Sequence, residues 1–187
     1  MGLLNRESSA DAYRYDDVVI DESAEYARPI DLGLRWLPTA NVHLLQSEYR
    51  TFLAFHLSAR ERGSVGVVEW QVCHSAQLGW PNDEALRGHR LWNRGLSQVG
   101  AYAAAEVLRS GWIEAMKAGN RVHPHHNADR FLSYRHFICS FQDSTFECVA
   151  EGYRVWRSDL AMDDVVETLL PLLDSSKEPP FELVGHS

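Results

Sequence analysis

The chain has 187 residues, 45 % of them hydrophobic and 24 % charged, and a formal net charge of −8. This is the composition of one globular domain that can bury a core without staples. Eighteen Lys and Arg against 26 Asp and Glu, with no basic cluster, exclude a phosphate-backbone binder driven by counterion release and disfavour anionic membrane surfaces.

Residues 1–12 read as a loose segment, 13–174 as a single globular domain and 175–187 as a mobile C-terminal tail. The opening MGLLNRESSADAYRYDD has no apolar leader stretch. Three cysteines occur without a CxxC pair, which predicts free thiols and a cytoplasmic setting.

In chain order, YRYDDVVI at 13–20 supports at most a short strand. Three strands are predicted over 41–48, 51–58 and 65–74, rich in β-branched and aromatic residues and joined by short polar links. Such connections imply an antiparallel meander. A long loop follows, with one helical turn at 81–86. An extended segment reaches about Arg109, and a helix runs over 111–117 with Ser110 as N-cap and Gly119 at its end. A further helical turn at 128–132 precedes a hairpin, 135–142 against 145–153, turning at Asp143-Ser144. The spacing of Val165, Val166, Leu169 and Leu170 predicts a helix that Asp163 caps and Pro171 ends or kinks. The fold class is α+β, a mostly antiparallel sheet of five or more strands with a few short helices. The sheet is either curled into a half-barrel or flat with helices on one face.

The hairpin sorts its residues by strand parity. Phe137, Cys139, Phe141, Phe146, Cys148 and Ala150 fall on one face, which is core, with Cys139 opposite Cys148 and both reduced. His136, Ile138, Ser140, Gln142, Thr145, Glu147, Val149 and Glu151 fall on the other. That face is either a solvated sheet surface or the floor of a pocket, with Glu147 and His136 as working groups.

Two polar loops supply further candidates. GWPNDEALRGH holds Trp80, Asn82, Asp83 and Arg87 as ligand-binding residues, and Glu84 and His89 as acid–base groups beside Glu147 and His136. RVHPHHN holds His123, His125 and His126. On an extended segment His123 and His125 share a side, so a divalent metal would find two imidazole ligands there and need a third from elsewhere. His125 is also a ligand-binding candidate. Metal-site, P-loop, dinucleotide and GxSxG motifs are all absent.

The function expected is a small enzyme or ligand-binding protein with a His/carboxylate pocket, using general acid–base chemistry on a small molecule. One alternative is a non-catalytic acidic protein that binds a basic protein partner. A second is a metal-dependent enzyme built on the HPHH loop. A small-molecule ligand is preferred to a protein partner, with no nucleic acid and no membrane. The two polar loops are expected to meet over the Glu147 face, and an enzyme is expected to gather imidazoles and carboxylates into one partly buried cluster.

Overall fold

The computed structural model describes residues 21–61 and 64–187; the strand expected over 13–20 lies outside the described residues. Two antiparallel five-stranded sheets organise them. The first runs β1 (Tyr26–Ile30), β6 (Ala104–Leu108), β7 (Arg135–Ser140), β8 (Thr145–Ala150), β5 (Ser75–Gly79). The second runs β10 (Glu182–His186), β9 (Gly152–Ser158), β4 (Val65–Gln71), β3 (Thr51–His56), β2 (Val42–Gln46). Three short helices, α1 (Ser97–Val99), α2 (Gly111–Gly119) and α3 (Met162–Leu169), complete the α+β fold. No described helix is long and apolar enough to cross a membrane.

The meander of three strands is present as β2–β3–β4. It does not continue into one sheet. The chain leaves the second sheet after Gln71, turns through Val72 at φ +49°, and enters the first sheet as β5. It returns at Glu151-Gly152, where β8 gives way to β9. A Cβ at Gly152 would stand 3.1 Å from the Ser187 carbonyl oxygen, so a side chain at that corner would crowd the end of the chain. Within the C-terminal tail, β10 pairs with β9 from Glu182 to His186.

The main core lies between the sheets. Leu53, Phe55, Val68, Trp70 and Val155 of the second sheet meet Phe137, Cys139, Phe146, Cys148 and Ala150 of the first. Trp70 is the hub, with ring centroids 4.9 Å from Phe137, 5.5 Å from Phe146 and 5.8 Å from Tyr153. The outer face of the second sheet is covered by α3, whose Met162, Val165 and Leu169 pack on Phe52, Ala54, Val67 and Trp156. Both faces of β3 are therefore buried, which is why TFLAFH is apolar almost throughout. The helix starts at Met162 behind Ala161 without a side-chain cap. The expected Asp163 cap is instead an acid in the first turn, where the helix dipole favours it. On the outer face of the first sheet, Leu86, Leu91 and Leu96 cover Ala105, Val107 and Ile138.

Gly66 lies where the core is tightest. A Cβ there would meet Leu34, Leu57 and Phe55 at 2.8–2.9 Å, whereas one at Gly79 would meet nothing within 4 Å. Gly66→Ala is expected to lose about 1–3 kcal/mol to overpacking, a drop of several degrees in melting temperature. Gly79→Ala should stay within about 0.5 kcal/mol of the parent. Equal melting temperatures for the two variants would contradict this packing.

Candidate functional site

The hairpin β7–β8 forms with a different register from the one expected. The pairs are Phe137 with Cys148, Cys139 with Phe146, Ile138 with Glu147 and Ser140 with Thr145. The turn is centred on Gln142-Asp143, one residue earlier, with Phe141 N–H donating to Ser144 O at 2.8 Å. Tertiary contacts choose it. Phe141 is buried against Trp36 and Phe55, and Gln142 donates its N–H to Pro38 O and accepts the Asp83 N–H on its carbonyl oxygen. The pairing moves by two residues, so every side chain keeps its face. Cys139 and Cys148 are buried and free, as expected, but are not opposite each other.

Glu147 therefore stands on the outer face of the first sheet, diagonal to His136. The loop after β5 brings His89 to the same place. Leu86 and Leu91, on either side of it, are buried in the outer face and pin the loop down. His136 Nε2 lies 2.9 Å from Glu147 Oε2, and His89 Nε2 lies 3.1 Å from Oε1. Arg90 Nη1 donates to Oε2 at 3.1 Å, and Gln77 Nε2 to Oε1 at 3.3 Å. The side chains of His89, His136 and Glu147 are nearly or fully buried, while that of Arg90 is 43 % exposed above them.

The ionised Glu147 only accepts, so both imidazoles face it with a proton on Nε2. His89 Nδ1 accepts the Leu91 backbone N–H at 3.3 Å, so its proton sits on Nε2 and is donated to Glu147. His136 Nδ1 lies 2.7 Å from Ser110 Oγ. Ser110 is the N-cap of α2 and accepts the Ile113 N–H at 3.2 Å. Its own hydroxyl proton is free to be donated to Nδ1 in the tautomer that carries the ring proton on Nε2, facing Glu147. Trp112 packs edge-on against the His136 ring, centroids 5.3 Å apart. Burial by itself would raise the pKa of Glu147. The hydrogen bonds from His136 and His89 and the charge of Arg90 outweigh it and hold the carboxyl well below the usual carboxylate range.

Of the residues singled out in the sequence, His89, His136 and Glu147 converge. Asn82, Asp83, His123 and His125 make their hydrogen bonds elsewhere. Asn82 Oδ1 caps the Ala85 N–H at 3.1 Å, and Asp83 accepts the Tyr102 hydroxyl at 2.7 Å. That bond pushes the Tyr102 phenol up to about 12. Trp80 is 78 % exposed, and Glu84 and Arg87 are exposed. His123 and His125 are exposed, their ring centroids 5.9 Å apart, and His123 Nδ1 accepts the His125 N–H. His126 Nδ1 bonds Asn120 Oδ1 at 2.9 Å. The hydrogen bonds and ring contacts of the three loop histidines run within residues 120–131. Among the described residues, no three His, Cys, Asp or Glu side chains are grouped to hold a metal ion. Glu151 accepts from Ser133 Oγ at 2.9 Å, and His74 stacks on Tyr134 with centroids 3.8 Å apart.

Sequence reasoning missed Arg90, Gln77 and the part Ser110 plays. Gln77 faces Glu147 across β5–β8, a pairing that needs the sheet order to be known. Ser110 was legible as a helix cap, not as a partner of His136.

The fold and the cluster define a two-sheet α+β protein with one ionised glutamate held between two imidazoles. No protein-family model matches the chain, and comparison with curated proteins and with solved structures gives no match.

Proposed function

We propose that this protein is an enzyme acting on a small molecule by general acid–base chemistry, with Glu147, His89 and His136 as the working set. The observation that supports this reading most is a contrast among buried carboxylates. Three glutamates are buried among the described residues: Glu69, Glu106 and Glu147. Glu69 is held by Arg50 and Arg154, and Glu106 by Arg28 and Arg135. Arginine stays charged, so such pairs act as fixed braces. Glu147 is matched mainly by imidazoles, which gain and lose protons near neutral pH.

In this reading the carboxylate stays ionised and sets both imidazole tautomers. His136 then presents Nδ1 as a base toward Ser110, while His89, whose Nδ1 accepts the Leu91 N–H, donates from Nε2 to the carboxylate. Arg90, half exposed at the rim, is the group best placed to orient an anionic part of the substrate.

The test is a thermal-shift screen of small metabolites against the parent, Glu147→Gln and His89→Ala. A compound that stabilises the parent and loses at least tenfold in affinity for both variants is the expected result. Compounds that bind all three proteins alike would place the ligand elsewhere and overturn this reading.

A second reading, a non-catalytic partner binder, draws on one feature. Residues 111–134 contain no buried residue, and Val122 and Leu132 are 90 % and 80 % exposed. Exposed apolar side chains grouped on one excursion are a common mark of protein contact surfaces.

A further inference from the structure

We propose that Ser110 is a nucleophile, and that the site hydrolyses small carboxylic esters through a covalent Ser110 acyl intermediate. The proposal rests on the acid–base reading of the same site and names its reaction and substrate class.

Four observations carry it. The first is the relay itself: Ser110 Oγ is 2.7 Å from His136 Nδ1, and His136 Nε2 is 2.9 Å from Glu147 Oε2. A hydroxyl, an imidazole base and a buried carboxylate that fixes the base's tautomer are the parts of a nucleophilic triad, recognised by geometry and not by chain position. The second is the local backbone. β6 ends at Leu108, α2 begins at Gly111, and Arg109 between them has φ +53°. A serine on a strained turn from strand to helix is how such nucleophiles are presented.

The third concerns where an oxyanion would sit. Such turns use the backbone N–H of the residue after the nucleophile. Here that residue is Gly111, and its N–H already binds a negatively charged oxygen: Glu25 Oε1, at 2.8 Å. The other oxygen, Glu25 Oε2, lies 3.7 Å from Arg90 Nε. The donors of an oxyanion hole are thus present and filled by the chain's own carboxylate. The fourth is a departure from simple capping. A capping serine needs only to accept the Ile113 N–H; donating to a buried imidazole that a carboxylate orients is not part of that role.

The chemistry balances. Ser110 Oγ attacks the acyl carbon as its proton passes to His136 Nδ1. The carbonyl oxygen becomes an oxyanion on the Gly111 N–H and Arg90, displacing Glu25. The bond to the leaving alkoxide breaks, and His136 returns the proton to it as the alcohol departs. A water then gives its proton to Nδ1 and attacks the acyl carbon. The acid leaves, and Ser110 regains its proton. Glu147 remains ionised throughout. Ser110 is only 4 % exposed, so substrate reaches it by moving Glu25 and the half-buried Trp112 aside.

The experiment is labelling of the full chain with an alkyl fluorophosphonate, read by intact mass and peptide mapping. Attack by Ser110 Oγ breaks the P–F bond and releases fluoride. The expected result is one phosphonyl group on Ser110, lost in Ser110→Asn, which keeps a capping oxygen, and slowed at least a hundredfold in His136→Gln. Glu25→Ala should label several-fold faster than the parent, because it vacates the Gly111 N–H. A pure capping role would move none of these rates. An unlabelled Ser110 in both parent and Glu25→Ala, or labelling indifferent to His136, overturns the proposal. If Ser110 stays unlabelled while a ligand still depends on Glu147 and His89, the nucleophile alone is wrong and the acid–base reading stands.

Discussion

Glu147→Ala is expected to lower the unfolding free energy by about 3–5 kcal/mol, the usual result of removing one side of a buried charged network. The loss comes from what is left behind. His89 Nε2–H and His136 Nε2–H both point at this carboxylate, in a place where neither side chain is more than 7 % exposed. Two buried donors without an acceptor cost about 1–3 kcal/mol each. Glu147→Gln keeps one acceptor oxygen and should lose less. The pH dependence separates charge from shape. Because the folded pKa of Glu147 is depressed below its ordinary value of 4.5, its stabilisation is complete above that value. It is lost as pH falls from there toward the folded pKa, since the unfolded chain takes up the proton first. Glu106, also depressed, acts alike in parent and variant and cancels in their difference. Urea denaturation should therefore show the parent losing stability more steeply than Glu147→Gln below about pH 4.5. Parallel curves would mean that Glu147 is not held ionised by its neighbours.

Trp70→Ala should cost about 3–5 kcal/mol, because that indole joins the sheets through Phe137, Phe146 and Tyr153. Trp70→Phe should cost far less, within about 1.5 kcal/mol. The indole Nε1–H is buried with no hydrogen-bond partner among the described residues. Phenylalanine removes that unsatisfied donor while keeping most of the ring contacts, and the two effects oppose each other. Chemical denaturation of the two variants side by side is the measurement. If phenylalanine is as damaging as alanine, the indole nitrogen has a partner or the ring contacts are more specific than their separations imply.

Local periodicity made the strands legible. The pattern of residues 135–153 fixed which side chains look into the core and which look out, and a turn misplaced by one residue left that division intact, because shifting both strands' pairing by two preserves parity. The same parity put His136 and Glu147 on one face. His89 was legible as chemistry but not as a neighbour, since its approach depends on Leu86 and Leu91 folding onto a sheet that the loop does not itself build. The HPHH loop shows the converse. Its composition is that of a ligand cluster, yet its histidines bond their own segment. Residue type states what a side chain can do, and only its neighbours state whether it is free to do it.

The sequence by itself determined the α+β class, the antiparallel pairing of β2, β3 and β4, the faces of the hairpin and the cap of α2, because each follows from periods of two or 3.6 residues and from turn chemistry a few residues long. The tertiary structure decided the split into two sheets at Val72 and Gly152, the order β6–β7–β8–β5, and with it the meeting of Ser110, His136, Glu147, Gln77, His89 and Arg90. These residues lie up to 70 positions apart. Their contact is set by which apolar faces can be buried together across the whole chain, and no short window of sequence carries that information.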